Sequence, residues 1–399
     1  MGYKLYVRDQ YLNRVAEIDD YQSLEMVLKY NSYGTWVLNL PTNCKAAKEI
    51  IKSKSGIVVI NDGKVIFSGL ATKKNRKWNA NEDKLQISGV DDSIWLLRRL
   101  VYPEPNGQFT LKDYDVRTGL AESIIKQYVS FNLGSRARLE RQIPNFVIEE
   151  DIGLGKKVTG NGRFETLLDL STSLALAGGD LGFRTIQVNK SLEFQVYQPE
   201  DKTKTAIFSP LLGNLSEFEY TSEDPETNYV IVGGGGEGKA RITLQNGDSA
   251  SITEYGRIES FVDQRNTTDQ AELTQSLNQE LTEKSIKNSL SITPIETESL
   301  SFGRDYNLGD KVSIIITQPN EVVEVDTIYY FLSDYQIRKT QEKLQVIQDV
   351  VREIKLTIDQ NGVSINPTIG TPESLSSQGL GIFKKMKKLT KRVSHLERS

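Results

Sequence analysis

Ile57-Val58-Val59-Ile60-Asn61-Asp62-Gly63-Lys64-Val65-Ile66-Phe67 is the stretch whose reading decides the fold class. Two runs rich in β-branched residues flank a turn, and the Asp-Gly step supplies the positive φ angles that a tight hairpin requires. Outward from it, Trp36-Val37-Leu38-Asn39-Leu40 ends at Pro41, and Leu85-Gln86-Ile87-Ser88-Gly89-Val90 alternates by side. A strand is therefore expected on each side of the hairpin, with a short helix near Ala46–Lys52 between them. Residues 1–110 read as an N-terminal β-barrel domain, mostly antiparallel.

From residue 111 the period lengthens. Val116, Leu120, Ile124 and Tyr128 recur every four residues, and Phe164, Leu167, Leu168, Ser171, Leu174 and Ala175 share one helical face before Gly178-Gly179, which predicts two helices. Phe183–Val188 and Leu192–Tyr197, joined by Asn189-Lys190-Ser191, read as a hairpin. Residues 111–210 thus form an α+β insert. Beyond it Asn228–Val232, Ala240–Leu244, Lys311–Thr317 and Glu321–Phe331 predict strands, and Leu273, Leu277 and Leu281 predict a helix over 269–289. The segment 211–366 has the plan of the first, a second β-barrel domain with one helix, although no sequence repeat links the two. The fold class is α+β, mainly β.

Residues 367–379, rich in Pro, Gly, Ser and Thr, read as a linker. Across residues 380–399, Ile382, Met386, Leu389, Val393 and Leu396 are spaced 4, 3, 4, 3, the a/d seam of a coiled coil, which needs partner strands and implies self-association. In a parallel coil Arg392 occupies a g position and Glu397 the following e position of a neighbour. The same twenty residues carry seven basic side chains against one acid, so an amphipathic helix packed on the body or on a membrane surface is the alternative.

Whole classes of chemistry drop out by count. One cysteine (Cys44) and one histidine (His395) cannot form an internal disulfide or a Cys/His zinc site, and His395 stands in a charged tail, a poor place for a nucleophile and its base. No catalytic, cofactor-binding or metal-binding residue is nominated. A net charge of −4 over 399 residues and the absence of a window of roughly 18 apolar residues fit a soluble chain without stable membrane insertion. Met1–Arg8 has no signal-peptide h-region, so synthesis in a cytoplasm is expected. Gly233-Gly234-Gly235-Gly236-Glu237-Gly238-Lys239 resembles a phosphate loop, but a strand pattern follows where a helix N-terminus is needed, so it reads as a flexible turn. The acidic pairs Asp19-Asp20, Asp91-Asp92, Glu149-Glu150-Asp151 and Glu223-Asp224 could serve acid–base or divalent-ion chemistry, yet none has calcium-loop spacing, and most carboxylate pairs are solvated turns. Residues 215–310 hold 18 acids against 7 bases, a surface asymmetry.

Several motifs then fall in one order: Asn13–Leu24, Lys29-Tyr30-Asn31-Ser32-Tyr33-Gly34, Leu38-Asn39-Leu40-Pro41, Phe67-Ser68-Gly69, Asn228–Gly238, Arg257–Arg265 and Tyr306-Asn307-Leu308-Gly309-Asp310-Lys311-Val312. This order resembles the tail hub (Tal-like baseplate hub) proteins of siphophages and prophages of Gram-positive bacteria, over about residues 3–358. The resemblance implies a structural protein of the virion tail tip, a homotrimer whose two related barrel domains per chain present six barrels to the tail tube. It implies a place below the distal tail protein, a channel that opens for the tape-measure protein and for passage of DNA, and a tail fibre or receptor-binding protein as a further candidate partner. No cofactor is implied. Acids of 215–310 are expected to line the channel and repel DNA phosphates. Many relatives carry a C-terminal cell-wall hydrolase; here the chain stops after a linker and a short coil, which favours a structural role over an enzymatic one. A tail-associated cell-wall hydrolase or endopeptidase, an adhesin, and the hub of a contractile injection machine stay open as alternatives.

Overall fold

In the computed structural model, which describes residues 2–80, 82–295, 300–318 and 343–370, the N-terminal part supplies seven strands. They are β1 (Tyr3–Arg8), β2 (Arg14–Glu17), β3 (Ser23–Lys29), β4 (Thr35–Pro41), β5 (Gly56–Asn61), β6 (Lys64–Asn79) and β7 (Glu82–Asp91), with helix α1 (Lys45–Ile50) between β4 and β5. β5 and β6 form the hairpin expected from residues 57–67, turning through Asp62 and Gly63 at φ of 47° and 80°. Period-two alternation sends Leu24, Met26 and Leu28 of β3 and Trp36, Leu38 and Leu40 of β4 into the core.

The next stretch builds α2 (Ile94–Leu97), β8 (Asp115–Leu120), α3 (Ala121–Asn132), β9 (Phe146–Ile148), β10 (Lys157–Gly162), α4 (Leu167–Ala177), β11 (Gly182–Val188) and β12 (Ser191–Tyr197). Its own core joins Ile124, Ile125, Tyr128 and Val129 of α3 to Leu167 and Leu174 of α4 and to Phe183 and Phe194 of the β11–β12 hairpin. Two expectations are corrected. The four-residue spacing begins on a strand, with Val116 and Leu120 exposed on β8, and only Ile124 and Tyr128 belong to α3; a spacing of four is two strand periods and also about one helical turn, so it does not separate the two. Phe164 stands before α4, which starts only where the Thr166 side chain accepts a hydrogen bond from the Asp169 amide.

The last part contributes β13 (Ile207–Phe208), β14 (Leu215–Glu223), β15 (Tyr229–Gly233), β16 (Thr243–Gly247), α5 (Ser249–Tyr255), β17 (Glu259–Asp263), α6 (Gln270–Glu283), β18 (Lys287–Pro294), β19 (Lys311–Gln318), β20 (Lys343–Asp359) and β21 (Gly362–Gly370). The strand expected at 240 begins at Thr243, because Gly233–Lys239 continues into a short 3-10 turn that Arg241 braces by donating to the Gly233 and Gly234 carbonyls. The helix expected over 269–289 ends at Glu283, since 287–294 is recruited into β18. Pro367–Gly370, read as the start of the linker, finish β21. The strand expected over 321–331, the remainder of the linker, and the heptad seam of Ile382, Met386, Leu389, Val393 and Leu396 with Arg392 and Glu397 lie outside the described residues.

Hydrogen-bonded neighbours run in the order β14-β18-β21-β20-β3-β4-β7-β6-β5-β1-β2, with β19 branching from β20 and β13 pairing with β19. The chain is mainly β with a few helices, and its two β-rich ends share one sheet through the antiparallel β20–β3 pair, Glu353–Asp359 against Ser23–Lys29. One core lies under both ends: Leu24, Met26, Trp36 and Leu38 pack in the same cluster as Ile292, Ile354 and Leu356. Each such fully buried side chain contributes roughly 1.5–3 kcal/mol. Residues 224–286 form a separate module at the far end of the β14–β18 hairpin. It has its own three-stranded sheet, β16-β15-β17, covered by α6 over a small core of Val230, Val232, Leu273 and Leu277. Its entry and exit are adjacent, with Glu223 paired to Lys287 and the Thr227 amide donating to the Lys284 carbonyl at 3.2 Å.

Candidate assembly surface

The register that buries one face of the sheet places every other residue on the opposite face. Opposite the core, that face carries Lys73, Asn75 and Lys77 of β6, Lys84, Gln86 and Ser88 of β7, Asn39 of β4, Ser23, Glu25 and Lys29 of β3, Glu353, Lys355 and Thr357 of β20, Ser364 and Asn366 of β21, and Glu217 and Glu219 of β14. Polar side chains stitch it laterally. Gln86 Nε2 donates to Asn39 Oδ1 (3.1 Å) and Asn39 Nδ2 to Ser23 Oγ (2.9 Å). At the β3–β20 seam Lys355 pairs with Glu25 (3.0 Å) and Lys29 with Glu353 (3.3 Å). The face is thus largely polar and mixed in sign, with Val27, Val37, Leu70 and Val90 set among the polar side chains. Of the acids in 215–310, only Glu217, Glu219 and Glu223 stand on it, while others such as Glu237, Glu254 and Glu272 belong to the 224–286 module.

Two turns fix the insert against this sheet. Asn31, at φ 51°, donates from Nδ2 to the Leu181 carbonyl (2.8 Å) and accepts from the Phe183 amide (2.9 Å), while Tyr30 Oη donates to the Asp180 carbonyl (2.6 Å). Burial pushes the Tyr30 phenol far above its ordinary range and the Tyr197 phenol up to about 12. Gly34 leaves room where a Cβ would lie 2.2 Å from the Val27 carbonyl oxygen, and a Cβ at Gly309 would lie 2.4 Å from the Tyr30 ring. The 29–34 and 306–312 motifs, far apart in sequence, therefore meet at one junction.

A second tie is fully buried. Arg8 (1% exposed) donates to both Asp92 carboxylate oxygens, at 2.8 and 2.5 Å, and to Gln187 Oε1 at 3.0 Å. Ser68 Oγ donates to Asp92 (2.6 Å) and accepts from the Gln187 amide (2.8 Å). Asp91 beside it accepts from the Gly34 and Ser93 amides at 2.6 and 2.9 Å, and burial, with Asp92 as neighbour, pushes its carboxyl up to about 8. The solvated turn expected at Asp91-Asp92 is replaced by an interior anchor that joins β1, β7 and β11. Sequence reasoning missed Arg8 altogether.

Other candidate chemistry stays apart. Among the described residues no group of three or more His, Cys, Asp or Glu could hold a metal ion. An open groove of about 450 Å³ between α3 and β9 is lined by Ser123, Lys126, Ser130, Arg136 and Asp151, but the Lys126 amine is committed to Glu122 (2.6 Å) and the Glu150 carbonyl (2.7 Å). A crevice of about 280 Å³ separates α4 and β10 from α6. Amide side chains span it, Gln275 with the Thr159 backbone and Gln279 Nε2 with Ser173 Oγ (2.9 Å). No helix among the described residues is long and apolar enough to cross a membrane.

Residues 4–371 match the sequence profile of a family described as Siphovirus ReqiPepy6 Gp37-like protein. The fold is similar to the tail protein from Neisseria meningitidis MC58, with a TM-score of 0.56 at 12% identity over 93% of this chain and 97% of that one. It is equally similar to the 43 kDa tail protein of prophage MuSo2 from Shewanella oneidensis, at 0.56 and 11% identity over 92% and 98%. Prophage tail protein gp18 from Listeria monocytogenes EGD-e gives 0.53 at 12% identity over 97% and 99%. At these identities the likeness is one of fold. No curated protein matches the chain.

Proposed function

The chain belongs to the Siphovirus ReqiPepy6 Gp37-like family of phage tail proteins, and from that premise we propose that it is the structural hub at the tail tip, a homotrimer that closes the tail tube and opens for the tape-measure protein and DNA. The observation that carries this reading is the one-sided sheet: a single core beneath both ends of the chain and, above it, a continuous, largely polar face on which Val27, Val37, Leu70 and Val90 are the larger apolar side chains of β3, β4, β6 and β7. Such a face suits a channel wall. Lysines gather on β6 and β7, glutamates on β14, and ion pairs cross the β3–β20 seam between them, so acids and bases balance over the face as a whole. In this reading the wall is near-neutral, not the negative wall expected from the acidic segment.

The domain arrangement follows. Residues 1–110 and 211–370 form the two hub domains of each protomer, the second ending with β21, 111–210 the peripheral insert, 371–379 the linker and 380–399 the oligomerising helix, with Ile382, Met386, Leu389, Val393 and Leu396 in the seam and Arg392 opposite Glu397. The distal tail protein sits on one side of the ring, and a fibre or receptor-binding protein on its periphery. The role is structural rather than enzymatic. Light scattering on the full chain tests it: a mass of about 135 kDa, three times the 44.9 kDa chain, is expected for a closed trimer. A ring with a central pore in negative-stain images is the companion result. A chain that stays at 44.9 kDa up to millimolar concentration sinks the hub reading.

A further inference from the structure

The polar face carries opposite charges at its two ends. β5 ends at Gly56 opposite Leu70, so from Thr72 to Trp78 no described strand pairs with the outer edge of β6. Lys73 and Lys77 lie on the polar face of that edge, and Lys84 is the cross-strand partner of Lys77. On the other face of the edge Arg76 is held by Asp83 (2.7 Å), Lys74 reaches the Ile51 and Lys52 carbonyls at the end of α1 (2.5 and 2.7 Å), and Trp78 is 72% exposed. At the opposite end, β14 closes the described strand order. It shows Glu217, Glu219 and Glu223 on the polar face and Phe218, 38% exposed, on the other.

We propose that the basic β6 edge of one copy meets the acidic β14 strand of a second copy, so that the sheets of successive protomers run on head to tail. Lys73 and Lys77 then face Glu217 and Glu219, and Trp78 packs beside Phe218. The chain already contains a seam of this kind: β3 meets β20 with Lys29–Glu353 and Lys355–Glu25 across it. A second copy is the favoured occupant because a single chain supplies both signs on one face, at strands of the same sheet. A heterologous contact of this type closes into a ring when its rotation closes. The proposal rests on the homo-oligomeric reading above and adds the contact that makes the oligomer.

The experiment compares the full-length chain with K73E/K77E, with E217K/E219K and with all four substitutions combined, each checked for an unchanged circular dichroism spectrum and melting temperature. Expected are a dissociation constant at least about tenfold weaker for each double variant, recovery in the fourfold variant, weakening of the parent assembly between 0.1 and 1 M salt as unscreened charge pairs require, and a blue shift of Trp78 emission on association that W78F removes. An oligomer whose mass and salt response are the same in all four chains overturns this contact and leaves the hub intact. A parent chain that is monomeric throughout overturns both. Binding of a DNA duplex that K73E/K77E abolishes, with no change in oligomer mass, assigns the basic edge to nucleic acid and likewise overturns the proposal.

Discussion

Asp91, partly buried, and Asp92, fully buried, share a turn but not a partner. Asp92 has the Arg8 guanidinium, while Asp91 accepts from the Gly34 and Ser93 amides and the Ser93 side chain and has Asp92 as its charged neighbour. With its carboxyl pushed up to about 8, folded Asp91 keeps a proton that the unfolded chain releases near pH 4. The folded state therefore binds more protons between those values, and stability falls as pH rises from about 4 to 8. Melting temperatures measured from pH 5 to 9 should show this downward slope, and Asp91→Asn should flatten it. Arg8→Met leaves Asp92 buried without its cation and is expected to cost about 3–5 kcal/mol in urea unfolding. Adding Asp92→Leu should recover part of that loss, as a double-mutant cycle would show. None of this is visible in sequence: Arg8 and Asp92 are 84 positions apart, and an Asp-Asp pair looks the same at a wet turn and in a core.

Elements were legible wherever their period was unambiguous. The 57–67 hairpin, the β11–β12 hairpin and the α6 start at Asp269, whose carboxylate caps the Ala271 and Glu272 amides, all follow from local chemistry. Boundaries failed where two periods coincide, as over 116–128, or where tertiary pairing claims a segment, as β18 does after α6. The polar face was hidden because it exists only once β20 meets β3, more than 300 residues earlier in the chain. Element size also sets local stability. The α6 module buries only Val230, Val232, Leu273 and Leu277 in its core, so Leu273→Ala should remove about 2–5 kcal/mol from a unit with little to spare. Hydrogen exchange should then accelerate across 228–283 and leave β3, β4 and β20 protected.

For the whole molecule, one sheet makes the two chain ends interdependent. Substitutions that break the Leu24–Ile358 or Leu28–Ile354 contacts should unfold both ends in one transition, and calorimetry should show a single peak for the sheet. The 224–286 module stands outside that cooperativity, for it enters and leaves through adjacent residues at a hairpin end and leans on the insert through amide side chains. This makes it an exchangeable cassette. Replacing residues 224–286 with a two-residue Asn-Gly turn between Glu223 and Lys287 should leave an ordinary β14–β18 hairpin and a folded remainder. By the same geometry, a lineage could graft a different globular unit at this point, altering what the particle displays without redesigning the scaffold beneath.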